Sequence, residues 1–367
     1  MNMTLKGNKG EWSELYTFFK LLHDGILFSA DEKLNKTKSS LDVNSIFRDD
    51  TGKELEFKRS ANNLIDIIDV VTNTTIMSFN YNEAKTLACE LLNEINKLKG
   101  NSNTIQLSTE QKIKKYHISQ VKTKSQDKGD IRMLVYDSVH GFTSEQHFSI
   151  KSFLGSDPTL FNANKTTNII FQITDKSGNS ISKNDFTTVN QIKSRFKYID
   201  RVQKIQSLGY EIEFDSYEDS TFKLNLQLID SDLPKMLAYV VLDKYVSKIT
   251  KIPDIINKLN RTNPLKYDLS QGHNFYEYRL INFLVEAALG MTSKKVWTGQ
   301  YAVIGGLIIV KTNADIVCYH LVDFNKFKQY LKNTCKLDNP SGSKMGYGEV
   351  YYENNKSYIK LNFQFKA

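Results

Sequence analysis

The chain of 367 residues lacks any run of 18 apolar residues, about the length a helix needs to cross a bilayer. Its opening, MNMTLKGNKGEW, lacks the apolar stretch of a secretory leader. Cysteine is scarce. Cys89, Cys318 and Cys335 are odd in number and far apart, which excludes a disulfide framework and a zinc pattern. A reducing cytoplasm is the expected location, with no membrane partner. No glycine cradle precedes Lys165, Thr166 and Thr167, so a Walker-type phosphate loop is excluded. His140 and His147 are spaced poorly for one metal ion, which argues against a histidine-metal nuclease. Gly305-Gly306 reads as a strand with a bulge rather than a nucleotide loop. No internal repeat or long low-complexity tract is present.

What the chain has in excess is positive charge. The formal net charge is +8, which favours polyanionic partners without specifying DNA. Eight lysines stand between Lys97 and Lys128 against Glu110 and Asp127. Five basic residues stand between Lys193 and Lys204 against Asp200. Such clusters can bind phosphates and release counterions, and a solvated surface would look the same.

Periodicity predicts helices over 11–28, with a Trp12, Leu15, Phe19, Leu22 stripe, and over 82–99, ended by Gly100. The polar, lysine-rich stretch 101–128 reads as a boundary or a flexible crossing. Strands are expected at 130–137, 146–152 and 168–174. A helix is expected over 183–206, strands over 210–229, and helix again over 232–260 and 275–289. A β-rich carboxy-terminal region follows. The segment SVHGFTSE between the first two strands makes them an antiparallel hairpin.

That hairpin carries the candidate chemistry. Phosphodiester cleavage needs a divalent cation held by carboxylates near the scissile phosphate. Asp130 opens the first strand, while Ser149 and Lys151 share one face at the end of the second. A lysine there can orient water and offset charge. On spacing alone, an unrelated surface aspartate and lysine explain the pattern at least as well. The carboxylate expected two residues before the lysine is replaced by Ser149. Asp137 and Glu145 sit at the far end of the hairpin, Glu145 being roughly 20 Å from Lys151 along an extended strand. Glu14 on the first helix is therefore expected to supply the second acid within about 7 Å of Asp130, close enough to share a metal directly or through water. Glu11 is the alternative, and both could equally serve as helix-start residues.

The segments KGEWSELYTFFKLL, FSIKSFLGSDPTLFNANKTTNIIFQI, WTGQYAVIGGLIIVK, CYHLVDFNKFKQYL and KLNFQFK resemble, in collinear order, the HpaII-type restriction endonucleases. Asp130-Ile131 matches the family's KGDI pattern, and Ser149 to Ser152 its SIKS. The resemblance implies an α/β (α+β) fold of the PD-(D/E)XK class: a mixed sheet flanked by helices, with a β-rich carboxy-terminal region. It implies a type II enzyme that uses Mg²⁺ and cleaves duplex DNA at a short palindrome, CCGG or a related site. A homodimer and a cognate DNA methyltransferase are the implied partners. Asp130 and Glu14 are the expected metal ligands, with Ser149 and Lys151 beside them. Asn162, Asn164, Lys165, Thr166, Thr167, Asn168, Lys344 and Gln364 are the expected DNA contacts. Lys344-Met345 and Lys366 depart from the family's Arg-His and arginine, and lysine forks onto guanine less well than arginine. The expected domains are 1–100, a helical part of the nuclease core; 101–230, the catalytic hairpin and sheet; and 231–367, the DNA-recognition region. A structure-directed nuclease of the same fold and a non-catalytic DNA-binding protein remain the alternatives.

Overall fold

The computed structural model describes residues 4–50, 52–98, 100, 104–122 and 129–367. The helices are α1 (Lys9–Asp24), α2 (Tyr81–Lys97), α3 (Glu110–Lys114), α4 (Lys183–Asn190), α5 (Lys197–Ser207), α6 (Ser220–Ile229), α7 (Leu233–Ser247), α8 (Ile252–Thr262), α9 (Phe275–Ala288), α10 (Phe324–Thr334) and α11 (Gly342–Met345). The strands up to the hairpin are β1 (Ile26–Ala30), β2 (Lys36–Asp50), β3 (Lys53–Ser60), β4 (Leu64–Asp69), β5 (Thr74–Asn80), β6 (Ile131–Asp137) and β7 (Phe142–Ser152). After it come β8 (Thr159–Phe161), β9 (Ile169–Thr174), β10 (Glu211–Tyr217), β11 (Gly306–Val310), β12 (Ile316–His320), β13 (Lys336–Asp338), β14 (Val350–Glu353), β15 (Lys356–Leu361) and β16 (Gln364–Lys366). The chain forms two units, residues 1–158 with 301–330, and residues 159–300 with 331–367.

Among the described residues, the first unit holds a nine-stranded mixed sheet in the order β1-β12-β11-β7-β6-β2-β3-β4-β5. The α1 stripe, Trp12, Leu15, Phe19 and Leu22, joins one buried cluster with Leu87 and Leu91 of α2 and with Phe57, Ile67, Met133, Phe148 and Ile150 of the sheet. An Asn8–Glu11 capping box starts α1. The helix stops at Asp24, short of the expected end at 28. Gly25 turns left-handed at φ 68°, and a Cβ there would lie 2.3 Å from the Arg59 guanidinium. That guanidinium receives the helix's last carbonyls, donating to Leu22 and, at 2.9 Å, to the His23 carbonyl oxygen.

Several expectations are corrected. Residues 26–80 form strands β1 to β5, so the amino-terminal part is not simply helical. The stretch 104–122 is not a crossing: Leu107, Ile113, Ile118 and Val121 enter the core between the lysines. Residues 183–206 break into α4 and α5, 210–229 pass from β10 into α6, and 232–260 divide into α7 and α8. The helical readings of 183–206 and 232–260 were right in kind but missed the breaks, whereas the strand reading of 210–229 fails at α6. Asp219 accepts from the Phe222 amide at 3.0 Å and starts α6 where a strand was expected.

The carboxy-terminal strands are divided too. β11 and β12 belong to the first unit, where β11 runs parallel to the hairpin strand β7 in the register Leu307↔Ser149 and Ile309↔Lys151. Two glycines let β11 approach its two neighbours, Gly305 toward β7 and Gly306 toward β12. A Cβ at Gly305 would meet the Phe148 ring at 2.6 Å, and one at Gly306 the Tyr319 carbonyl oxygen at 2.1 Å. In the second unit, sheets of order β10-β9-β15-β14 and β13-β16-β8 pack with helices. No helix among the described residues is long and apolar enough to cross a membrane.

Candidate active site

The hairpin forms in the expected register, from Ile131↔Phe148 to Asp137↔Phe142. One rung further, the Asp130 amide donates to the Phe148 carbonyl at 2.8 Å. Gly129 lets this end close, since a Cβ there would approach the His147 Cβ to 3.0 Å. Asp130 Oδ2 accepts from Ser149 Oγ at 2.9 Å and from the Ile150 amide at 2.7 Å. Ser149 thus orients the aspartate, and Lys151 follows on the same strand face.

Helix α1 carries the second candidate acid, Glu14. Burial and the nearby negative charge of Asp130 raise the Glu14 carboxyl to about 8, and Glu11 adds to the rise. Lys122 and Lys151 oppose it from close by. Glu11 itself is engaged in the capping box, where its Oε2 accepts from the Asn8 amide at 2.8 Å. The remote acids are also engaged. Glu145 pairs with Arg132 at 3.5 Å, and Asp137 accepts from the hairpin turn and faces His140 Nδ1 at 2.8 Å.

Lys122 belongs to a cluster read only as phosphate contacts. A buried ion pair fixes the segment that carries it. Arg48 Nε meets Asp50 at 3.0 Å, and its Nη2 donates to the Gln120 carbonyl at 2.7 Å. Asp50 in turn accepts from the Ser119 amide at 2.8 Å. Nothing in the local sequence signals this clamp, because its halves lie about seventy residues apart. Lys124 and Lys128 lie outside the described residues.

Among the described residues, no group of three or more His, Cys, Asp or Glu could hold a metal ion. Two carboxylates nonetheless suit Mg²⁺, which is usually held by one or two of them and completed by water and substrate phosphate. A half-buried acid raised by desolvation and by the charge of a neighbouring carboxylate marks a place short of positive charge.

In the second unit, Asn162, Lys165 and Lys344 are exposed. Asn164 caps the turn at 165–167, accepting from the Thr166 amide at 2.8 Å. Thr167 and Asn168 are buried, and their expected role as DNA contacts is corrected. Thr167 Oγ1 donates to Asn362 at 2.9 Å, and Asn168 Nδ2 to the Met345 carbonyl at 2.9 Å. Gln364 donates to Asp338 at 2.8 Å, an acid it shares with Lys366. Of the basic run 193–204, Arg201 is buried and donates to the Gly348 carbonyl at 2.6 Å, so it is no phosphate contact.

The model of the HpaII restriction endonuclease family matches residues 8–367. This chain belongs to the HpaII restriction endonuclease family. The type II restriction enzyme HpaII of Haemophilus parainfluenzae is 38% identical across 100% of this chain and 99% of its own length. No solved structure matches. The chain is accordingly a type II restriction endonuclease, a site-specific deoxyribonuclease with duplex DNA as substrate. Restriction endonucleases generally use divalent metal ions.

Proposed function

We propose that this restriction endonuclease hydrolyses both strands of a short palindromic site with Mg²⁺ held between Asp130 and Glu14, in a PD-(D/E)XK-type centre whose second acid has moved from the hairpin to helix α1. The observation that carries this is the half-buried Glu14 carboxyl, raised by desolvation and by the charge of Asp130, so that the two together call for a cation. Bound there, the cation would supply charge for the pentacovalent phosphate and acidify the attacking water. Asp130 presents its carboxylate, with Oδ2 fixed by Ser149 and the Ile150 amide. Lys151 holds the attacking water and offsets the phosphate's charge.

Asn162, Lys165 and Thr166, with Lys344, contact DNA from the second unit, and Asn164 shapes their turn. In this reading, residues 1–158 with 301–330 supply the nuclease core and hairpin, while 159–300 and 331–367 contribute recognition. A palindrome calls for a second copy of the chain, and the host's own sites for a DNA methyltransferase.

The test is digestion of plasmid DNA with Mg²⁺. Discrete, mappable fragments are expected, whereas sequence-independent products would favour a structure-directed nuclease. Asp130→Ala and Lys151→Ala abolish cleavage and leave DNA binding within about tenfold, because both act at the reacting phosphate rather than at base edges. Undiminished cleavage by either variant refutes the assignment.

A further inference from the structure

The catalytic strand does not end at its lysine. Side chains alternate along β7, so Ser149, Lys151 and then Phe153 fall on one face. The Phe153 amide donates to the Val310 carbonyl at 2.8 Å, which continues the parallel ladder beyond its last paired rung. In that register Ile309 lies opposite Lys151. The next β11 residue on the same face is Lys311, beside Phe153. Two residues of strand span about 6.6 Å, roughly one nucleotide of DNA backbone.

An open cleft of about 330 Å³ occupies this position, lined by Lys33, Leu34, Asn35, Phe153, Lys311 and Asn313, with Thr312 at its edge. Two ammonium groups, two amides and a hydroxyl line it, and none of its lining residues is acidic. Two carboxylates beside the cleft take up part of this lining: Asp31 accepts from Asn35 Nδ2 at 3.0 Å and Asp315 from Asn313 Nδ2 at 3.4 Å. Asp315 lies 3.5 Å from Lys36 and 3.4 Å from Lys311. Asp31 accepts from the Lys33 and Asn35 amides at 2.8 and 2.9 Å, closing the turn that carries them. Lys311 Nζ donates to the Leu34 carbonyl at 3.3 Å and ties that turn to β11.

We propose that this cleft binds a backbone phosphate of the DNA duplex adjacent to the one that is cut. The inference rests on the nuclease reading above. Lys33 supplies positive charge to the phosphodiester, Lys311 is shared between it and Asp315, and Asn35 and Asn313 each turn their second amide N–H to its oxygens. Engaging a second phosphate in line with Lys151 fixes the strand's path across the hairpin, so the site acts on affinity and alignment rather than on the chemical step.

The test measures DNA binding by fluorescence anisotropy from 50 to 300 mM NaCl, a range chosen on the order of that used to expose counterion release. It pairs this with steady-state cleavage of plasmid DNA. Lys33→Ala and Lys33→Glu flatten the slope of log affinity against log salt by about 0.9, the increment for one phosphate. KM rises by roughly tenfold while kcat stays within about threefold, as expected for a contact made equally in ground and transition states. Lys311→Arg keeps the parent slope. Lys311→Ala loses it, and Lys33 variants decide the matter if Lys311→Ala unfolds, because the Lys33 side chain lies at the surface. An unchanged slope in both Lys33 variants overturns the proposal. So does a collapse of kcat with the slope intact, or binding of inorganic phosphate at the cleft with no effect on DNA binding. Failure of the parent protein to cut DNA would instead overturn the function proposed above, and the binding slopes would still report on the cleft.

Discussion

Desolvation at its half-buried position and the charge of Asp130 raise the Glu14 carboxyl to about 8. Its value in the unfolded chain is near 4.5, so the folded state binds the proton more tightly. The resulting stability is fully present below the unfolded value and is lost as pH rises through about 8. Thermal unfolding without divalent ions should therefore show Tm falling from pH 5 to pH 9. Glu14→Gln should flatten that fall, exceed the parent's Tm at pH 9, and abolish cleavage. Mg²⁺ should raise Tm at pH 9 for the parent and not for the variant. A parent Tm independent of pH would remove Glu14 from the site. Lys244 poses the converse case. Burial lowers its ammonium to about 7, and it donates to Asn339. The folded state holds this proton less tightly, so its penalty is greatest below pH 7 and fades toward pH 10. Lys244→Met is expected to raise Tm at pH 6 and to lose that gain at pH 10.

At the scale of elements, the catalytic hairpin is fixed by what flanks it. β11 packs closely on its antiparallel neighbour β12 because Gly306 takes φ +115° with the Tyr319 carbonyl oxygen 2.1 Å from the place a Cβ would occupy. Gly306→Ala is expected to destabilise the protein by about 3 kcal/mol or more, through backbone strain and displacement of β12. Chemical denaturation measures it, and a loss under 1 kcal/mol would mean the ladder adjusts freely (an order-of-magnitude threshold). On the other side, α1 is set by its Asn8 cap. Asn8→Ala should cost about 1 kcal/mol, and because it frees Glu11 one turn from Glu14, it should also slow cleavage. Ser149→Ala removes one of the two bonds on Asp130 Oδ2 and leaves the Ile150 amide in place. A reduction in kcat is expected there rather than its loss.

For the whole molecule, a count of the basic residues in the lysine-rich runs overstates the charge open to DNA. Lys114 pairs with Glu110, Lys112 with Glu90, and Arg201 is buried. Lys115, Lys122, Lys165, Lys193, Arg195 and Lys344 remain exposed. If these six make phosphate contacts, log affinity should fall against log salt with a slope of roughly −5. A slope near zero would remove the polyanion from the binding reaction. The division of the chain also matters here. The run from Tyr301 to Tyr330 leaves the carboxy-terminal region to complete the nuclease sheet, so a truncation after residue 300 should abolish folding of the first unit, as measured by the loss of cooperative unfolding.

Hairpin, first helix and central strand were legible in the sequence because their signals are local. A period of two in β6 and β7 sets which residues share a face, and a period of 3.6 in α1 sets its buried stripe. Those two facts placed Asp130, Ser149 and Lys151 at one end of the hairpin and singled out Glu14 on α1 as the candidate for the second acid. Long, irregular segments such as FSIKSFLGSDPTLF carried the family. What the tertiary structure alone decided was which polar groups have a free surface. Asn168 and Thr167 look like base readers in a polar run, yet Asn362, almost two hundred residues away, draws them inward. Lys122 reaches the Glu14 carboxyl only through the buried Arg48–Asp50 clamp, and Lys311 stands beside the catalytic strand only through a parallel pairing between distant segments. Sequence periodicity fixes the face a side chain takes on its own element. Whether that face meets solvent, core or another charge depends on contacts between elements, whose partners no local pattern names.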